Sequence, residues 1–165
     1  MAKLIILRGN SGSGKTSAAK ALQRRFCRGT LLISQDTVRR EMLWAADGAG
    51  TKALPLLIHL LEYGRKNCDV TILEGILDSE CYRDLFEAAV QEYGENVFAF
   101  YYDIPFDETL LRHRTKPNRG EFGEAEMRRW WKEKDYAGVI PERTIERGMS
   151  LSDTVEMIFC MVSGT

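Results

Sequence analysis

Eight consecutive residues near the amino terminus, Gly9 to Thr16, constrain the fold of this chain more than any other feature. They read Gly-Asn-Ser-Gly-Ser-Gly-Lys-Thr and match the pattern G-x-x-x-x-G-K-[ST] in full. The apolar run at 4–7 predicts a strand buried on both faces, and the apolar spacing after the glycines predicts a helix over 15–27. A strand, a glycine-rich turn and a helix in direct succession predict a phosphate-binding loop, or P-loop.

The loop itself is the predicted phosphate site. Its glycines allow successive backbone N–H groups to turn toward phosphate oxygens, and the helix N-terminus behind them adds partial positive charge. Lys15 is expected to reach the β- and γ-phosphates, and the Thr16 hydroxyl is expected to ligate Mg²⁺. The predicted cofactors are therefore ATP and Mg²⁺. The predicted nucleotide-binding residues are Gly9, Asn10, Ser11, Gly12, Ser13, Gly14, Lys15 and Thr16.

Strand and helix patterns alternate along the rest of the chain. Strands are predicted at 4–7, 31–34, 70–73, 97–102 and 144–146. Helices are predicted at about 15–27, 36–46, 56–66, 79–93, 106–114, 124–134 and from Ser150 or Ser152 to Met161. This alternation predicts a three-layer α/β/α P-loop NTPase fold, with a mostly parallel sheet of about five strands and a small lid. Ligands in such sheets bind at the C-terminal ends of the strands.

Length, charge and cysteine spacing narrow the class of protein. The 165 residues predict one domain, residues 1–165, and the net charge of -1 offers no overall positive field to attract nucleic acid. The four cysteines form no C-x-x-C pair, which argues against a zinc site or a redox motif. No apolar run approaches the roughly 20 residues that span a bilayer. We therefore expect a cytoplasmic protein that does not bind membranes.

A second pattern follows the P-loop: a strand, one residue, and then Asp-x-x-Arg, with the acid at Asp36 and the cation at Arg39. A P-loop with this continuation resembles the small P-loop kinases, among them the polynucleotide 5′-kinase, zeta-toxin and chloramphenicol phosphotransferase groups. The resemblance implies that Asp36 serves as base to an acceptor hydroxyl and that Arg39 binds the acceptor. It also implies transfer of the γ-phosphoryl group of a nucleoside triphosphate.

The two strand-end acids have alternative interpretations. A carboxylate near the γ-phosphate can orient a hydroxyl and accept its proton. However, Asp36 also suits the first turn of a helix, and Arg39 also suits a solvated helix surface. Glu74 ends the third predicted strand and is expected to hold Mg²⁺ beside Thr16. The pair formed by Glu74 and Gly75 also resembles uridine-kinase-like enzymes, so either acid remains a candidate for activating the acceptor.

A lid is predicted at about residues 112–123. Four cations lie within eight residues of this segment, and Pro117 and Gly120 interrupt the helix. Such a cation can neutralise charge in the transition state, and the alternative is a solvated basic loop. The favoured catalytic cations are Arg112 and Arg114, with Lys116 or Arg119 as substitutes. After the lid, Trp130 and Trp131 point about 100° apart on a helix, so one could pack while the other faces a ligand.

The acceptor is predicted to be a small molecule or a nucleoside or nucleotide with a hydroxyl group. The neutral net charge counts against a long polynucleotide, and a short nucleic-acid end is the less favoured option.

The alternative function is a nucleotide-binding switch or slow NTPase that acts through a protein partner. A guanine-reading N-K-x-D sequence is absent, and the D-x-x-G match at 47–50 follows a predicted helix instead of a strand. We therefore interpret that match as chance.

Overall fold

One parallel sheet of five strands forms the centre of the protein in the computed structural model, which describes residues 1–115 and 120–164. The strand order is β2-β3-β1-β4-β5, and every neighbouring pair is parallel. The strands are β1 Lys3–Gly9, β2 Leu31–Ser34, β3 Val70–Gly75, β4 Val97–Asp103 and β5 Glu142–Glu146. The predicted central position of the first strand and the predicted parallel sheet are confirmed.

Helices cover both faces of the sheet. They are α1 Lys15–Phe26, α2 Ala53–Asn67, α3 Arg83–Tyr93, α4 Phe106–Arg114, α5 Glu124–Trp130 and α6 Leu151–Ser163. Leu4 and Ile6 share a buried cluster with α2 and α3, whereas Ile5 and Leu7 share one with α1 and α6. This alternation along β1 explains the three layers, because successive strand residues point to opposite faces. Within the described ranges, no helix is long and apolar enough to cross a bilayer.

The prediction of an α-helix at 36–46 is wrong in both the type and the length of the helix. The chain forms a short π-helix, Thr37–Met42, in which the Leu43 N–H donates to the Val38 carbonyl at 3.1 Å. Trp44 then takes a positive φ of 47° and ends the helical geometry. Such π-helical turns are rare and occur frequently at functional sites.

Three other helices differ from their predicted bounds by three residues or more, and part of the lid is not described. The helix predicted at 56–66 begins at Ala53. The helix predicted at 79–93 begins only at Arg83, because the Asp78 carboxylate accepts hydrogen bonds from two backbone N–H groups and holds the preceding residues in a turn. The helix predicted at 124–134 ends at Trp130. Lys116 and Arg119, the substitute lid cations, lie outside the described residues.

The sheet register brings the C-terminal strand ends to one edge. Glu74 pairs in register with Leu7 of β1 and Ser34 of β2, and Gly9 pairs with Tyr102 of β4. The P-loop therefore follows the central strand directly between the ends of β3 and β4. The functional candidates predicted after separate strands are thus neighbours in space.

Candidate active site

The P-loop adopts a conformation that requires glycine. Gly12 has a φ of 80°, and a Cβ atom built there would lie 2.6 Å from the Thr109 carbonyl oxygen. The Lys15 ammonium is buried in the loop, where it donates to the Asn10 carbonyl at 2.8 Å and to the Ser13 hydroxyl at 3.1 Å. These contacts hold a positive charge inside a ring of backbone groups, as a phosphate-binding loop requires.

A hydroxyl and a carboxylate meet at the base of the loop. Thr16 Oγ1 donates to Glu74 Oε2 at 3.2 Å, and Glu74 is only 4% exposed. Both groups offer the hard oxygen atoms that Mg²⁺ prefers. Within residues 1–115 and 120–164, no group of three or more His, Cys, Asp or Glu side chains could hold a metal. The donor set therefore fits Mg²⁺ bound partly by phosphate and water, the usual arrangement for this ion in nucleotide sites.

A first cavity of about 450 Å³ lies on the β4–β5 side of the P-loop. Its lining includes Gly12, Gly14, Tyr102, Arg112, Met149 and Thr154. Tyr102 is 4% exposed, and its hydroxyl has no hydrogen-bond partner among the described residues. Burial raises the pKa of Tyr102, so the hydroxyl stays protonated and available as a donor.

The two favoured lid arginines occupy different places. Arg112 donates through Nη1 to the Ser13 carbonyl of the P-loop at 2.7 Å, and its Nε donates to Glu108 at 3.1 Å. Arg114 is exposed and borders a different cavity, near the start of α5. The structure therefore brings Arg112, but not Arg114, to the phosphate loop.

A second cavity of about 550 Å³ lies on the β2–β3 side of the loop. Its lining includes Ser11, Asp36, Arg39, Trp130, Trp131 and Lys132. Both tryptophans thus line this space, whereas the sequence left open core packing for either of them. Trp131 also packs edge-on against Phe106, with ring centroids 5.1 Å apart.

Asp36 and Arg39 meet in this second cavity. Asp36 is 62% exposed and accepts a hydrogen bond from Arg39 Nη2 at 3.2 Å. The Asp36 side chain makes no capping hydrogen bond to the helix that follows it. The Asp36 carboxylate is therefore paired with Arg39 at the cavity wall and is not committed to capping the helix.

Asp47 is a residue of this cavity that sequence reasoning missed, because its D-x-x-G match appeared accidental. Its carboxylate accepts hydrogen bonds from the Tyr82 hydroxyl at 2.7 Å, the Gln35 amide at 3.3 Å and the Gly48 N–H at 2.9 Å. Arg39 Nε lies 3.8 Å from the same carboxylate. Asp47 thus anchors the loop after the π-helix and lies beside the Arg39 guanidinium.

An ion pair between Asp78 and Lys132 closes another wall of the second cavity. Burial acts to raise the pKa of Asp78, but hydrogen bonds from Lys132 and from the Cys81 and Glu80 amides lower it to about 2. Asn10 clamps the backbone of the same lysine, since its side chain donates to the Lys132 carbonyl at 2.6 Å and accepts from the Lys132 N–H at 3.0 Å. A P-loop side chain therefore positions the cavity wall, a role that the motif alone did not indicate.

A buried arginine ties this edge of the sheet together. Arg8 is fully buried and donates to Glu142 at 2.9 Å, to Asp135 at 3.3 Å and to the Leu77 carbonyl at 2.6 Å. Asp135 also accepts from the Ser79 N–H at 2.9 Å. The network joins β1 and β5 to the residues on either side of Asp78 and to Asp135, which follows Lys132. Sequence patterning predicted none of these contacts.

Replacing Tyr102 by phenylalanine is expected to raise the free energy of unfolding of the ligand-free protein by roughly 1 kcal/mol, because a buried donor without a partner is removed. The same variant is expected to bind ATP about 5- to 10-fold more weakly, because the lining of the first cavity then offers a ligand one hydrogen-bond donor fewer. Urea denaturation and calorimetric titration measure the two effects.

Tyr101→Phe is the matched control for this variant. The Tyr101 hydroxyl accepts from the Asp135 N–H at 3.0 Å, so its loss leaves a backbone donor unpaired. This control should lower stability without a comparable change in ATP affinity. A Tyr102→Phe protein that is less stable and binds ATP normally would contradict the assignment of the Tyr102 hydroxyl as an unpaired donor that serves a ligand of the first cavity.

Comparison with protein families supports the P-loop assignment. The sequence model of a family described as an AAA domain matches residues 4–138. A search by sequence among curated proteins found no match.

Solved structures resemble this fold over nearly its whole length. The tunicamycin resistance protein of Deinococcus radiodurans superposes with a TM-score of 0.64 at 20% identity, over 98% of this chain and 96% of that one. The APS kinase of Mycobacterium tuberculosis, in complex with AMPPNP and APS, gives 0.63 at 16% identity, over 98% of each chain. Shikimate kinase of Acinetobacter baumannii, in complex with shikimate, gives 0.58 at 16% identity, over 99% and 94%. At these identities the likeness concerns the fold.

Proposed function

The chain belongs to the AAA domain family, and on that premise we propose that it is an ATP-dependent phosphotransferase, or kinase. It transfers the γ-phosphoryl group of ATP to a hydroxyl of a small-molecule, nucleoside or nucleotide acceptor. One observation carries the proposal: the P-loop is flanked by two separate cavities, of about 450 Å³ and about 550 Å³. The first suits the nucleotide, and the second suits an acceptor.

The proposed step needs few protein groups. Asp36 accepts the proton of the acceptor hydroxyl as its oxygen attacks the γ-phosphorus, and the bond from that phosphorus to the β–γ bridging oxygen breaks. The products are ADP and the phosphorylated acceptor. Lys15 and the loop amides hold the β- and γ-phosphates, and Arg112 balances the charge that develops on the transferred group.

Thr16 and Glu74 would hold Mg²⁺ at the base of the loop. The ion neutralises phosphate charge when bound. Glu74 is buried and its carboxylate accepts a hydrogen bond from the Thr16 hydroxyl at 3.2 Å, so the carboxylate faces the base of the P-loop. Asp36 is exposed and lines the acceptor cavity. This difference in environment supports Asp36 as the base and Glu74 as the metal ligand.

A nucleotide-binding switch or slow NTPase that acts through a protein partner is the rival. Such a protein needs a nucleotide cavity but no second cavity lined by a carboxylate, arginines and tryptophans. The solved APS kinase and shikimate kinase complexes hold acceptors on the same fold, which supports the two-substrate interpretation. Among small P-loop kinases, the polynucleotide kinase, zeta-toxin and chloramphenicol phosphotransferase groups remain the predicted relatives.

The test is transfer of label from γ-labelled ATP to a panel of nucleosides, nucleotides, short 5′-hydroxyl oligonucleotides, nucleotide sugars and antibiotic hydroxyls. We expect Asp36→Asn to lower transfer by about 10²-fold, near the low end for general base catalysis, because the transition state of phosphoryl transfer is loose. ATP affinity should stay unchanged, since Asp36 does not line the first cavity, which we assign to the nucleotide.

Glu41→Gln provides the control for this test. Glu41 is an exposed acid on the same π-helix and does not line the acceptor cavity. This variant should transfer label at the normal rate. ATP hydrolysis without any labelled acceptor, at the same rate in the Asp36→Asn protein, would favour the switch instead.

A further inference from the structure

Residues 131–135 follow α5 and form neither helix nor strand; we call this segment the strap. Trp131 and Lys132 of the strap line the acceptor cavity. A segment without regular backbone pairing takes its position from the groups that bind its backbone and pack on its side chains. The contacts that reach the strap therefore decide where this wall of the acceptor cavity lies.

The Asn10 side chain binds the strap through both backbone groups of one residue. Its Nδ2 donates to the Lys132 carbonyl at 2.6 Å, and its Oδ1 accepts from the Lys132 N–H at 3.0 Å. Asn10 is only 7% exposed. An amide that uses its donor and its acceptor on the same residue fixes the orientation of that residue as well as its distance. The strap is thus fastened to the P-loop at the position next to Trp131.

The backbone of Asn10 belongs to the phosphate site. Its carbonyl accepts a hydrogen bond from the Lys15 ammonium at 2.8 Å. Lys15 is the residue that holds the β- and γ-phosphates in the proposed function. Asn10 therefore contacts the phosphate-binding lysine through its backbone and the wall of the acceptor cavity through its side chain.

A second path joins the strap to the P-loop through α4. Trp131 packs edge-on against Phe106, the first residue of α4, with ring centroids 5.1 Å apart. Arg112 of the same helix donates to the Ser13 carbonyl at 2.7 Å. The contacts form a closed ring that runs from the P-loop through Asn10, the strap and α4 back to the P-loop. Packed side chains and hydrogen bonds of this kind carry energetic coupling between two sites.

The far end of the strap is held by groups outside the P-loop. Asp135 accepts from the Ser79 N–H at 2.9 Å and from Arg8 Nη2 at 3.3 Å. The Lys132 side chain pairs with Asp78. These contacts fasten the strap to β1 and to the turn after β3, and they do not use the Asn10 side chain. An Asn10 variant should therefore keep the strap folded while changing how it is held against the phosphate loop.

We propose that Asn10 is a positioning residue that couples the two cavities, because its side chain sets the acceptor-cavity wall against the loop that holds the transferred phosphoryl group. This inference rests on the proposed function. The Asn10 side chain acts through Lys132 and Trp131 and not on the reacting atoms. Transfer depends steeply on the separation of the acceptor oxygen and the γ-phosphorus, and a misplacement of about 1 Å can cost about 10²-fold in rate.

The first measurement follows Trp131 and needs no acceptor. The chain has three tryptophans, so replacing Trp44 and Trp130 by phenylalanine leaves Trp131 as the only indole. We expect a non-hydrolysable ATP analogue with Mg²⁺ to lower the acrylamide quenching constant of Trp131 by about 2-fold, because the filled loop holds the strap more rigidly. With Asn10→Ala added, calorimetry should show the analogue bound within about 3-fold of its former affinity, with the quenching constant unchanged.

Asn67→Ala is the matched control. The Asn67 side chain donates to the Tyr63 carbonyl at 2.8 Å within α2, so this variant also loses a side-chain hydrogen bond to backbone. It should keep the nucleotide-dependent change at Trp131. A change that survives Asn10→Ala, or no change at Trp131 although the analogue binds, would overturn the inference. An analogue that does not bind the unsubstituted protein would overturn the proposed function and this inference together.

Label transfer to the acceptor that the panel identifies gives the second measurement. We expect Asn10→Ala to lower kcat/KM for the acceptor by about 10- to 10²-fold and to change ATP affinity by less than about 3-fold. An equal loss of ATP affinity and acceptor kcat/KM would overturn the positioning role, since a general disturbance of the P-loop would then explain both. An Asn10-dependent change at Trp131 without transfer to any acceptor supports the coupling of the cavities and overturns the kinase.

Discussion

Replacement of Arg112 by alanine is expected to lower the rate of phosphoryl transfer by about 10³- to 10⁵-fold, the range for cations that neutralise charge in phosphoryl-transfer transition states. Arg112 already reaches the P-loop, where Nη1 lies 2.7 Å from the Ser13 carbonyl oxygen. On the proposed function, its charge lies beside the loop that holds the transferred group. Single-turnover kinetics with labelled ATP would measure the loss, and equilibrium titration would show ATP affinity reduced far less.

Two companion variants make the Arg112 result interpretable. Arg112→Lys keeps the charge but cannot bond both Glu108 and the loop as the guanidinium does, so we expect partial activity. Arg114→Ala should retain nearly full activity, because Arg114 borders a cavity near α5 and not the phosphate loop. An Arg114→Ala protein as inactive as Arg112→Ala would show that the lid reorganises when nucleotide binds and that our choice of arginine is wrong.

Replacement of Arg8 by methionine is expected to lower the free energy of unfolding by about 3–5 kcal/mol, the usual cost of removing one partner from a buried ion pair. The Glu142 side chain is 2% exposed and the Asp135 side chain 15%, so both carboxylates would be left with little access to water. Urea denaturation at neutral pH would measure the change.

Two controls show whether the lost stability comes from unpaired buried charge. Arg143→Met changes an exposed arginine on β5 and should cost less than about 0.5 kcal/mol. Adding Asp135→Asn and Glu142→Gln to Arg8→Met removes the stranded charges and should recover part of the loss. If the triple variant is no more stable than Arg8→Met, the penalty lies in lost packing around Phe86 and not in electrostatics.

The secondary structure was predictable where the local sequence pattern is strong. It was less predictable where side-chain hydrogen bonds to the backbone set the conformation. The strands at β1, β3 and β4 are short apolar runs that end in glycine or acid, so their positions follow from the sequence. The π-helix Thr37–Met42 was predicted as part of an α-helix, because no local sequence pattern distinguishes the two kinds of helix over so short a segment.

The residues of the site also divide into those that the sequence offered as candidates and those whose contacts only the structure showed. The sequence by itself determined the P-loop and the parallel three-layer fold, because glycine conformation and the hydrophobic period are local properties of the chain. It offered Asp36, Glu74, Arg112 and Arg114 only as candidates. Only the tertiary structure decided which groups meet. Arg8 and Asp135 are 127 positions apart and Asn10 and Lys132 are 122 apart, so no spacing rule relates them. Their contacts depend on how five strand ends and the loops after them converge, which packing of the whole chain sets.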